Sequence, residues 1–415
     1  MGRTSLPRAG RAVLAAVAAT TVAAVLGAVA VSTASASSPH ARDDVPARAA
    51  APAAARTVPN AEALRRAIAP PLKGATAAQA RFRDGRGSWQ GASGEADIRT
   101  HRAMKGDERF RVGSVTKTFT AAVVLQLVHE GKLDLEGSVQ RYLPGLLPAG
   151  WPEVKVKHLL DYTSGLPGGD TRGMPDGPDW DKGRYTTWDH RALVQSGLGK
   201  GSLFTPGSKQ NYSNTDYNVL GLLIEKATGH RYEQELRHRV IEPLGLEDTY
   251  SVGDEQGIRG RHVHGYQAVK QADGSSRLVD VTEWDQSETW ASGDLISTTA
   301  DLERFMTALF SGRVVPQPQL EMMFTVPPVP AYDEENPAST KPATYTSGMQ
   351  RSRLDDHTYL YGKTGSRYGY VDGFAATRNL SRSLVYAVNS TDAKGKATNP
   401  VVAAITQAAL APAKK

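Results

Sequence analysis

Strand-like segments stand near both ends of this 415-residue chain, and helical patterns fill the middle. Short runs of strand character occur at residues 78–83 and 88–91. Residues 370–378 and 383–389 are rich in Val, Tyr and Phe and flank a polar turn, which is the pattern of a hairpin. Strands at both ends predict one antiparallel sheet built from both termini and flanked by helices, with a mainly helical insertion at roughly 135–290. This is an α+β fold class.

Three helical segments are marked by their periodicity and by their ends. Apolar residues recur at helical spacing after Gly113 and stop at a glycine. A second segment with apolar residues at helical spacing covers about 215–226 and predicts a second helix. The third helix is expected to begin near Thr298, which has capping-box spacing to Asp301, and to continue to about Phe310.

The first 36 residues have the pattern of an export signal. A basic start precedes an Ala- and Val-rich stretch, and Ala34-Ser35-Ala36 is a small-residue pattern that signal peptidase cleaves. The apolar stretch is also about long enough to span a bilayer, so an uncleaved membrane anchor is the alternative. Because the cleavage pattern is present, we expect residues 1–36 to be a signal peptide and the protein to be secreted.

A change of composition separates this leader from the folded part. Residues 37–58 are rich in Ala, Pro and Arg and have no period, which predicts a flexible linker. The folded domain is expected to cover residues 59–411. It should open with a short helix at 61–68, for which Asn60 is a plausible N-cap.

The composition excludes several classes of protein and site. With 40% hydrophobic and 22% charged residues, the bulk of the chain is ordinary globular sequence. The absence of cysteine excludes disulfides, thiolate metal sites and a cysteine nucleophile. The formal net charge is +6, but Arg3, Arg8 and Arg11 lie in the leader and the remaining charges are mixed. A nucleic-acid partner is therefore not expected.

The first candidate for chemistry lies where the strongest helix begins. Ser114 and Lys117 are three residues apart, so on a helix their side chains lie on one face within mutual reach. The lysine amine can take the serine proton if burial or a second cation lowers its pKa. The partial positive charge of the helix N-terminus also favours a developing oxyanion. The alternative is a capping serine followed by an exposed lysine, and the pattern alone is a weak signal.

The second candidate is Tyr212-Ser213-Asn214, at the entry to the second helix. Helix capping explains Ser213 or Asn214, but a cap does not need the tyrosine. A phenol held between two ammonium groups would ionise more easily and could carry protons to and from the serine and the leaving group. Tyr212 is therefore a candidate acid/base with a lowered pKa.

The third candidate is Lys363-Thr364-Gly365-Ser366, which follows a strand-like segment. On a strand at the edge of a sheet, Lys363 would present a positive charge, and Gly365 would let a substrate backbone approach closely. The backbone N–H of Ser366 could then complete an oxyanion hole with that of Ser114.

The three patterns in this order resemble the motifs of serine β-lactamases and penicillin-binding proteins. With Tyr-x-Asn as the middle motif, the chain is most similar to class C β-lactamases and to soluble D-alanyl-D-alanine carboxypeptidases. The resemblance extends around the motifs, including residues 110–117 and 164–166, and covers about residues 75–405. It implies the serine β-lactamase/DD-peptidase fold.

The resemblance also implies a role for each matching residue in an acyl-enzyme mechanism. The implied catalytic residues are Ser114 as nucleophile, Lys117 as proton acceptor and Tyr212 as acid/base. The implied substrate-binding residues are Asn214, Lys363, Thr364, Gly365 and Ser366. No metal or organic cofactor is implied. The implied partners are a small peptide or β-lactam substrate, with peptidoglycan as a further candidate and no stable protein partner.

Two departures from the carboxypeptidases concern the binding of a substrate carboxylate. The carboxypeptidases that resemble this chain carry His-Thr-Gly where it has Lys363-Thr364-Gly365, and the lysine form is typical of the lactamases. They also place an arginine thirteen residues earlier, where this chain has Gln350 followed by Arg351. Arg351 is therefore added as a candidate substrate-binding residue.

We expect a secreted serine hydrolase that acts through an acyl-enzyme, most similar to a D-alanyl-D-alanine carboxypeptidase. A class C-like β-lactamase is the alternative, followed by a D-peptidase or esterase of the same fold. A non-catalytic penicillin-binding or peptidoglycan-binding protein is a fourth possibility. Since Lys117 should lie near Lys363 and a helix N-terminus, its pKa is predicted to fall toward neutrality.

Overall fold

The computed structural model describes residues 58, 60–168, 183–271 and 273–410. The strands in these ranges are β1 Ala75–Asp84, β2 Gly87–Asp97, β3 Arg102–Ala103, β4 Phe110–Arg111, β5 Tyr250–Ser251, β6 Tyr266–Lys270, β7 Ser276–Asp280, β8 Leu295–Ser297, β9 Gln350–Arg353, β10 Tyr359–Arg367, β11 Tyr370–Thr377 and β12 Arg382–Ser390. The helices are α1 Ala61–Ala67, α2 Thr116–His129, α3 Val139–Tyr142, α4 Val156–Leu160, α5 His190–Gly197, α6 Asn214–Thr228, α7 Tyr232–Leu236, α8 Glu242–Leu244, α9 Thr299–Phe310, α10 Gln319–Met322 and α11 Pro400–Leu410.

One seven-stranded antiparallel sheet joins the two ends of the chain. Its strand order is β3-β2-β1-β12-β11-β10-β9, and β1 lies against β12 with Ala80 opposite Tyr386. The predicted α+β arrangement, with one antiparallel sheet from both termini, is therefore confirmed. β9 pairs with β10 only as far as Gly362, so from Lys363 onward β10 has no described strand on that side.

Helices cover both faces of this sheet. On one face, α1 and α11 form a small apolar cluster that includes Phe82 and Ile405. On the other face, α2 and α9 belong to the main core, where the rings of Phe119 and Phe305 stack with centroids 3.6 Å apart. Fully burying a side chain of this size contributes about 1.5–3 kcal/mol. Most of α2 is buried, so the main core holds this helix and the residues at its start in place.

A second, three-stranded sheet supports the start of α2. Its order is β4-β8-β5, and Phe110 of β4 lies opposite Ser297 of β8. From β4 the chain enters a 3₁₀ turn, Gly113–Val115, that continues directly into α2. This sheet could not be predicted from the sequence, because strands of two or three residues are too short to show a period of two.

The three predicted helices correspond to α2, α6 and α9. At the start of α9, the Thr298 side chain accepts a hydrogen bond from the Asp301 N–H at 3.2 Å, as its spacing predicted. In the ranges that the structure describes, no helix has the length and apolarity needed to cross a bilayer.

Two predictions at the N-terminal boundary were wrong. Val58, expected to end the flexible linker, is 2% exposed and packs in the cluster of α1 and α11. Asn60 does not cap α1 through its side chain; its Nδ2 donates to Ala409 O at 3.2 Å, so a contact with the last helix replaces the local cap. The predicted signal peptide and the rest of the linker lie outside the described residues. They stay predictions, as does the domain range 59–411.

Candidate active site

Ser114 lies in the turn between β4 and α2, and Lys117 lies in the first turn of α2. Lys117 is fully buried, whereas Ser114 is partly open to solvent. The Lys117 Nζ atom lies 3.3 Å from Ser114 Oγ. The contact that the three-residue spacing predicts is therefore present.

Two further hydrogen bonds fix the Lys117 amine. Its Nζ donates to Asn214 Oδ1 at 2.8 Å and to the backbone oxygen of Ser292 at 2.7 Å. A neutral amine has two N–H groups and one lone pair, so with both N–H groups engaged the lone pair is left for the third neighbour, the Ser114 hydroxyl. The arrangement suits an amine that accepts the proton of this serine.

Burial lowers the pKa of Lys117 well below its usual value, and the charges of Lys363 and Lys394 lower it further. The predicted direction is confirmed, although loss of hydration contributes more than the neighbouring cations. Lys117 can therefore be neutral, and so act as a base, at a pH where an exposed lysine is charged.

The ring of Tyr212 lies between two lysines, as the sequence predicted. Lys117 Nζ is 5.0 Å and Lys363 Nζ is 4.9 Å from the ring centroid. The predicted lowering of the Tyr212 pKa is wrong, because burial of the hydroxyl raises this pKa and the nearby Ser114 hydroxyl offsets only part of the effect. The phenol therefore stays protonated and can donate a proton.

Asn214 is the first residue of α6, and its side chain is free for the site because another residue caps this helix. The Ser213 side chain accepts a hydrogen bond from the Asp216 N–H at 3.4 Å. Capping thus accounts for Ser213, and the amide oxygen of Asn214 is left to orient Lys117.

The edge of β10 forms the wall opposite α2. Lys363 is 5% exposed, and its Nζ donates to Thr364 O at 2.8 Å. Burial lowers the pKa of Lys363 to about 7, and the nearby Asp372 carboxyl opposes this shift. The hydroxyl of Ser366 donates away from Ser114, to Ala393 O at 2.7 Å, so only its backbone is available to the site.

Two glycines allow β10 to lie against the turn that carries Ser114. Gly113 has a φ of +48°, and a Cβ on it would lie 2.7 Å from the backbone nitrogen of Ser366. A Cβ on Gly365 would overlap the backbone oxygen of Val112. The two backbone segments therefore meet without side chains between them, as an oxyanion hole made from Ser114 N–H and Ser366 N–H requires.

Replacing Gly365 with alanine should push β10 away from this turn. We expect the free energy of unfolding to fall by about 1–3 kcal/mol, as for other overpacked sites, and turnover to fall by more than about tenfold because an oxyanion donor is displaced. Denaturant unfolding and steady-state kinetics measure the two effects. Gly199→Ala is the matched control, since nothing lies within 4 Å of a Cβ there. Equal behaviour of the two variants would contradict this account of the wall.

Arg351 does not contact these residues in the structure. It lies on β9 opposite Tyr361, and its guanidinium is 4.7 Å from the Tyr359 ring centroid. It lines a separate groove of about 440 Å³ formed largely by residues 326–330. Gln350, beside it, donates to Thr344 Oγ1. A direct role of Arg351 in binding the substrate carboxylate stays a prediction without a supporting contact.

Two charged residues at the site were missed in the sequence analysis. Lys394, in the loop after β12, donates from Nζ to Ser366 O at 2.9 Å. Asp372 of β11 lies opposite Gly365 and is fully buried. Neither residue belongs to a recognisable local pattern, because each reaches the site through the pairing of β10, β11 and β12. Among the described residues, no cluster of three or more His, Asp or Glu side chains is arranged to hold a metal ion.

Most of the chain matches the sequence model of one known protein family. The sequence model of the family described as Beta-lactamase matches residues 64–407. Among curated relatives, the putative penicillin-binding protein PbpX of Bacillus subtilis (strain 168) is 28% identical over 66% of this chain and 59% of that protein. The chain spans between 33% and 59% of the length of the first three curated relatives it matches.

Solved structures match over a larger share of the chain. A D-stereospecific amidohydrolase from Streptomyces sp. is 31% identical with a TM-score of 0.70, over 85% of this chain and 97% of that one. The D-amino acid amidase from Ochrobactrum anthropi SV3 is 28% identical with a TM-score of 0.68, over 84% and 97% of the two chains. The resemblance stated from the motifs and the fold that it implied are both confirmed.

Proposed function

The chain belongs to the β-lactamase family, and we propose that within it this protein is an exported, D-stereospecific serine peptidase of the D-alanyl-D-alanine carboxypeptidase type. The observation that carries the proposal is the buried Lys117 amine, 3.3 Å from the Ser114 hydroxyl, with its other hydrogen bonds fixed. The likeness to a D-stereospecific amidohydrolase supports the choice of a D-configured amide substrate.

The first half of the reaction is attack by Ser114. Its Oγ forms a bond to the substrate carbonyl carbon while its proton passes to Lys117 Nζ. The carbonyl oxygen becomes an oxyanion that accepts hydrogen bonds from the backbone N–H groups of Ser114 and Ser366; one such donor typically contributes 10²–10³-fold in rate. The C–N bond then breaks, and the leaving amine takes a proton from the Tyr212 hydroxyl, which Lys117 replaces.

The second half is hydrolysis of the Ser114 ester. Lys117, neutral again, takes a proton from water through Tyr212, and the hydroxide oxygen bonds to the acyl carbon. The Ser114 Oγ–carbon bond breaks, and the serine regains its proton. The protonation states that burial imposes, a neutral phenol and a readily neutral amine, are those that both halves require.

The cations on the β10 side support a substrate that carries a carboxylate. The Lys363 ammonium donates a hydrogen bond to the backbone oxygen of Thr364, and the Lys394 ammonium donates one to the backbone oxygen of Ser366. A lysine ammonium is a strong partner for a carboxylate when partly desolvated. A peptide that ends in D-Ala-D-Ala offers such a carboxylate next to the scissile amide, whereas a simple amide does not.

A D-amino acid amidase is the second candidate. The likeness to the Ochrobactrum anthropi SV3 enzyme favours it, since the two chains align over nearly their whole folded length. In this case the substrate would be neutral at its leaving group, and Lys363 would have no carboxylate to bind.

The experiment that separates these candidates compares hydrolysis of an acyl-D-Ala-D-Ala peptide, its D-Ala-L-Ala and L-Ala-D-Ala isomers, and D-alanine amide. The proposal predicts that the D,D-peptide has the highest kcat/KM. A preference for D-alanine amide would favour the amidase, and hydrolysis of a β-lactam or a simple ester alone would favour a lactamase or an esterase. Binding without any turnover would support a non-catalytic protein.

The pH dependence should differ between charged and neutral substrates. Lys117 must be neutral to act, so kcat/KM should rise with pH through its lowered pKa for every substrate. Lys363 must be protonated to bind a carboxylate, so for the D,D-peptide alone kcat/KM should fall as pH rises through about 7. Parallel pH–rate profiles of the acyl-D-Ala-D-Ala peptide and of the same peptide with a C-terminal amide, which carries no charge there, test this. An absence of any limb between about pH 5 and 9 would contradict the role of Lys117.

A further inference from the structure

Gln210 lies two residues before Tyr212, is 4% exposed, and makes every hydrogen bond that its side-chain amide can make. Its Nε2 atom donates to Asp161 O at 2.8 Å and to Tyr345 O at 2.9 Å. Its Oε1 atom accepts from the backbone N–H groups of Thr344 and Tyr345 at 3.0 and 2.9 Å. Because a glutamine amide has two N–H groups and an oxygen with two lone pairs, all four of its bonds are formed, and all four go to backbone groups.

The backbone of the same segment adds three further bonds. The Gln210 N–H donates to Pro330 O at 2.9 Å, and its carbonyl oxygen accepts from the Tyr332 N–H at 2.8 Å. The N–H of the next residue, Asn211, donates to Tyr162 O at 2.9 Å. The segment that leads into α6 is therefore tied to the end of α4 and to two stretches of the loop before β9.

The residues that these bonds tie together carry the rings that pack on Tyr212. The ring centroid of Tyr162 is 4.9 Å and that of Tyr345 is 5.2 Å from the centroid of Tyr212. The centroids of Tyr162 and Tyr345 are 5.1 Å apart, so each of the three rings contacts the other two. The position of the Tyr212 phenol therefore depends on where the other two rings lie.

Tyr162 is held in a backbone conformation that residues with a side chain seldom adopt. Its φ is +62°, in the left-handed region, and the residue is fully buried. Such a conformation persists only where the surroundings fix it, and it is most frequent at functional sites. The Gln210 amide holds the peptide group before Tyr162, and the Asn211 N–H holds the peptide group after it. The same two residues therefore fix the direction of the Tyr162 ring.

We propose that Gln210 is a positioning residue for the acid/base step: through the rings of Tyr162 and Tyr345, its amide holds the Tyr212 hydroxyl where it can protonate the leaving amine. This inference rests on the proposed function and adds a buried residue that acts through its neighbours. Proton transfer needs donor and acceptor within about 2.6–3.2 Å, so a small shift of the phenol is enough to lose it. The attack by Ser114 depends on Lys117 of α2 and should survive such a shift.

The test uses Gln210→Met and two substrates that differ in one atom. They are an acyl-D-Ala-D-Ala peptide and its thioester analogue, in which sulfur replaces the nitrogen of the scissile bond. The amine must gain a proton to leave, whereas a thiol has a pKa of about 8.5 and leaves as the thiolate. In Gln210→Met, kcat/KM for the peptide should fall by about 10²-fold, while the thioester keeps most of its value. An equal fall for both substrates, or an unchanged value for the peptide, would overturn the inference.

The matched control is Gln126→Met on α2. The Gln126 Nε2 atom also donates to two backbone oxygens, those of Arg239 at 3.4 Å and Val314 at 2.7 Å. It lies about 13 Å further along the helix than Lys117. Both substitutions remove an amide from between backbone segments and should lower the melting temperature, but only Gln210→Met should change the ratio of peptide to thioester hydrolysis. The same change of ratio in Gln126→Met would contradict the proposal.

A second background separates positioning from a general loss of structure. In Tyr212→Phe the hydroxyl is absent, so adding Gln210→Met should cause little further loss of kcat/KM for the peptide. A merely structural role would lower this value by the same factor in both backgrounds, which would overturn the inference.

A further variant keeps every bond of Gln210, because Gln210→Met leaves four backbone groups without their partner and can prevent folding. Tyr345→Leu retains the backbone groups that bond the amide and removes only the ring that packs on Tyr212. It should again lower peptide hydrolysis more than thioester hydrolysis. If Gln210→Met does not fold, an equal loss of both activities in Tyr345→Leu overturns the inference, and a selective loss supports it.

The inference and the proposed function can fail separately. If the wild-type protein prefers D-alanine amide, the carboxypeptidase proposal fails, and the same comparison between D-alanine amide and a D-alanine thioester tests Gln210. If the wild-type protein prefers the D,D-peptide but Gln210→Met lowers both activities equally, the proposed function stands and the inference fails. A wild-type protein that hydrolyses no amide would overturn both, since there would be no leaving amine to protonate.

Discussion

Ser114→Ala is expected to lower the turnover of an acyl-D-Ala-D-Ala peptide by about 10⁴-fold or more. The hydroxyl is the atom that forms the covalent bond, and no other described hydroxyl shares the hydrogen bond of Lys117 Nζ. The backbone N–H of residue 114 is kept, so the oxyanion hole and substrate affinity should survive. Steady-state kinetics measure the loss, and calorimetry measures the affinity that remains.

The control for this variant is Ser311→Ala, which removes an exposed hydroxyl at the end of α9. It should retain wild-type turnover. Since Ser114 is partly open to solvent and its hydroxyl packs against few groups, its loss should leave the melting temperature close to that of the wild type. Turnover in Ser114→Ala at more than a few per cent of the wild-type rate would contradict the assignment of the nucleophile.

Lys117→Met should have the second largest effect, a fall in kcat of about 10³-fold, because general-base catalysis typically contributes 10²–10⁴-fold. Methionine has a similar length but no lone pair to take the serine proton. The backbone oxygen of Ser292 and the amide oxygen of Asn214 lose their donor, so the free energy of unfolding should fall by about 1–3 kcal/mol. Single-turnover kinetics and denaturant unfolding measure the two effects.

Lys363→Met provides the comparison for Lys117→Met, since both lysines are buried and both flank Tyr212. The loss of Lys363 should act mainly on KM for carboxylate substrates, whereas the loss of Lys117 should act mainly on kcat for every substrate. If the two variants changed the same kinetic parameter by the same factor, Lys117 would not have a distinct role as the base.

The parts of the site that rest on local spacing could be predicted from the sequence. Ser114 and Lys117 lie three residues apart at the start of a helix, and this geometry brings their atoms together whatever surrounds them. The antiparallel sheet from both termini was also predictable, because the hairpin of β11 and β12 is long and rich in Val, Tyr and Phe.

The protonation state of Tyr212 could not be predicted in the same way. The sequence correctly indicated two lysines beside the phenol, and from them a lowered pKa was expected. Burial of the hydroxyl reverses the sign, because loss of hydration disfavours the phenolate and the nearby Ser114 hydroxyl offsets only part of this effect. Burial depends on how α2, α6 and β10 pack, and no short motif records that.

Lys394 and Asp372 could not be found from any sequence motif. Lys394 reaches Ser366 from a loop 28 residues further along the chain, and Asp372 meets Gly365 through the register of a hairpin. In the sequence, each is an ordinary charged residue. Conversely, Arg351 matched an expected position almost to the residue, yet its guanidinium packs on Tyr359 instead.

The most direct test of the acyl-enzyme is intact-mass spectrometry after a short incubation with benzylpenicillin, followed by peptide mapping. The account predicts a lasting adduct of one drug molecule on Ser114, absent from Ser114→Ala, because a β-lactam acylates the same serine and a peptidase releases it slowly. Drug consumed without an adduct would contradict the peptidase proposal and indicate a β-lactamase. An unmodified protein with intact drug would contradict the proposed reaction of Ser114 with penicillin-like substrates.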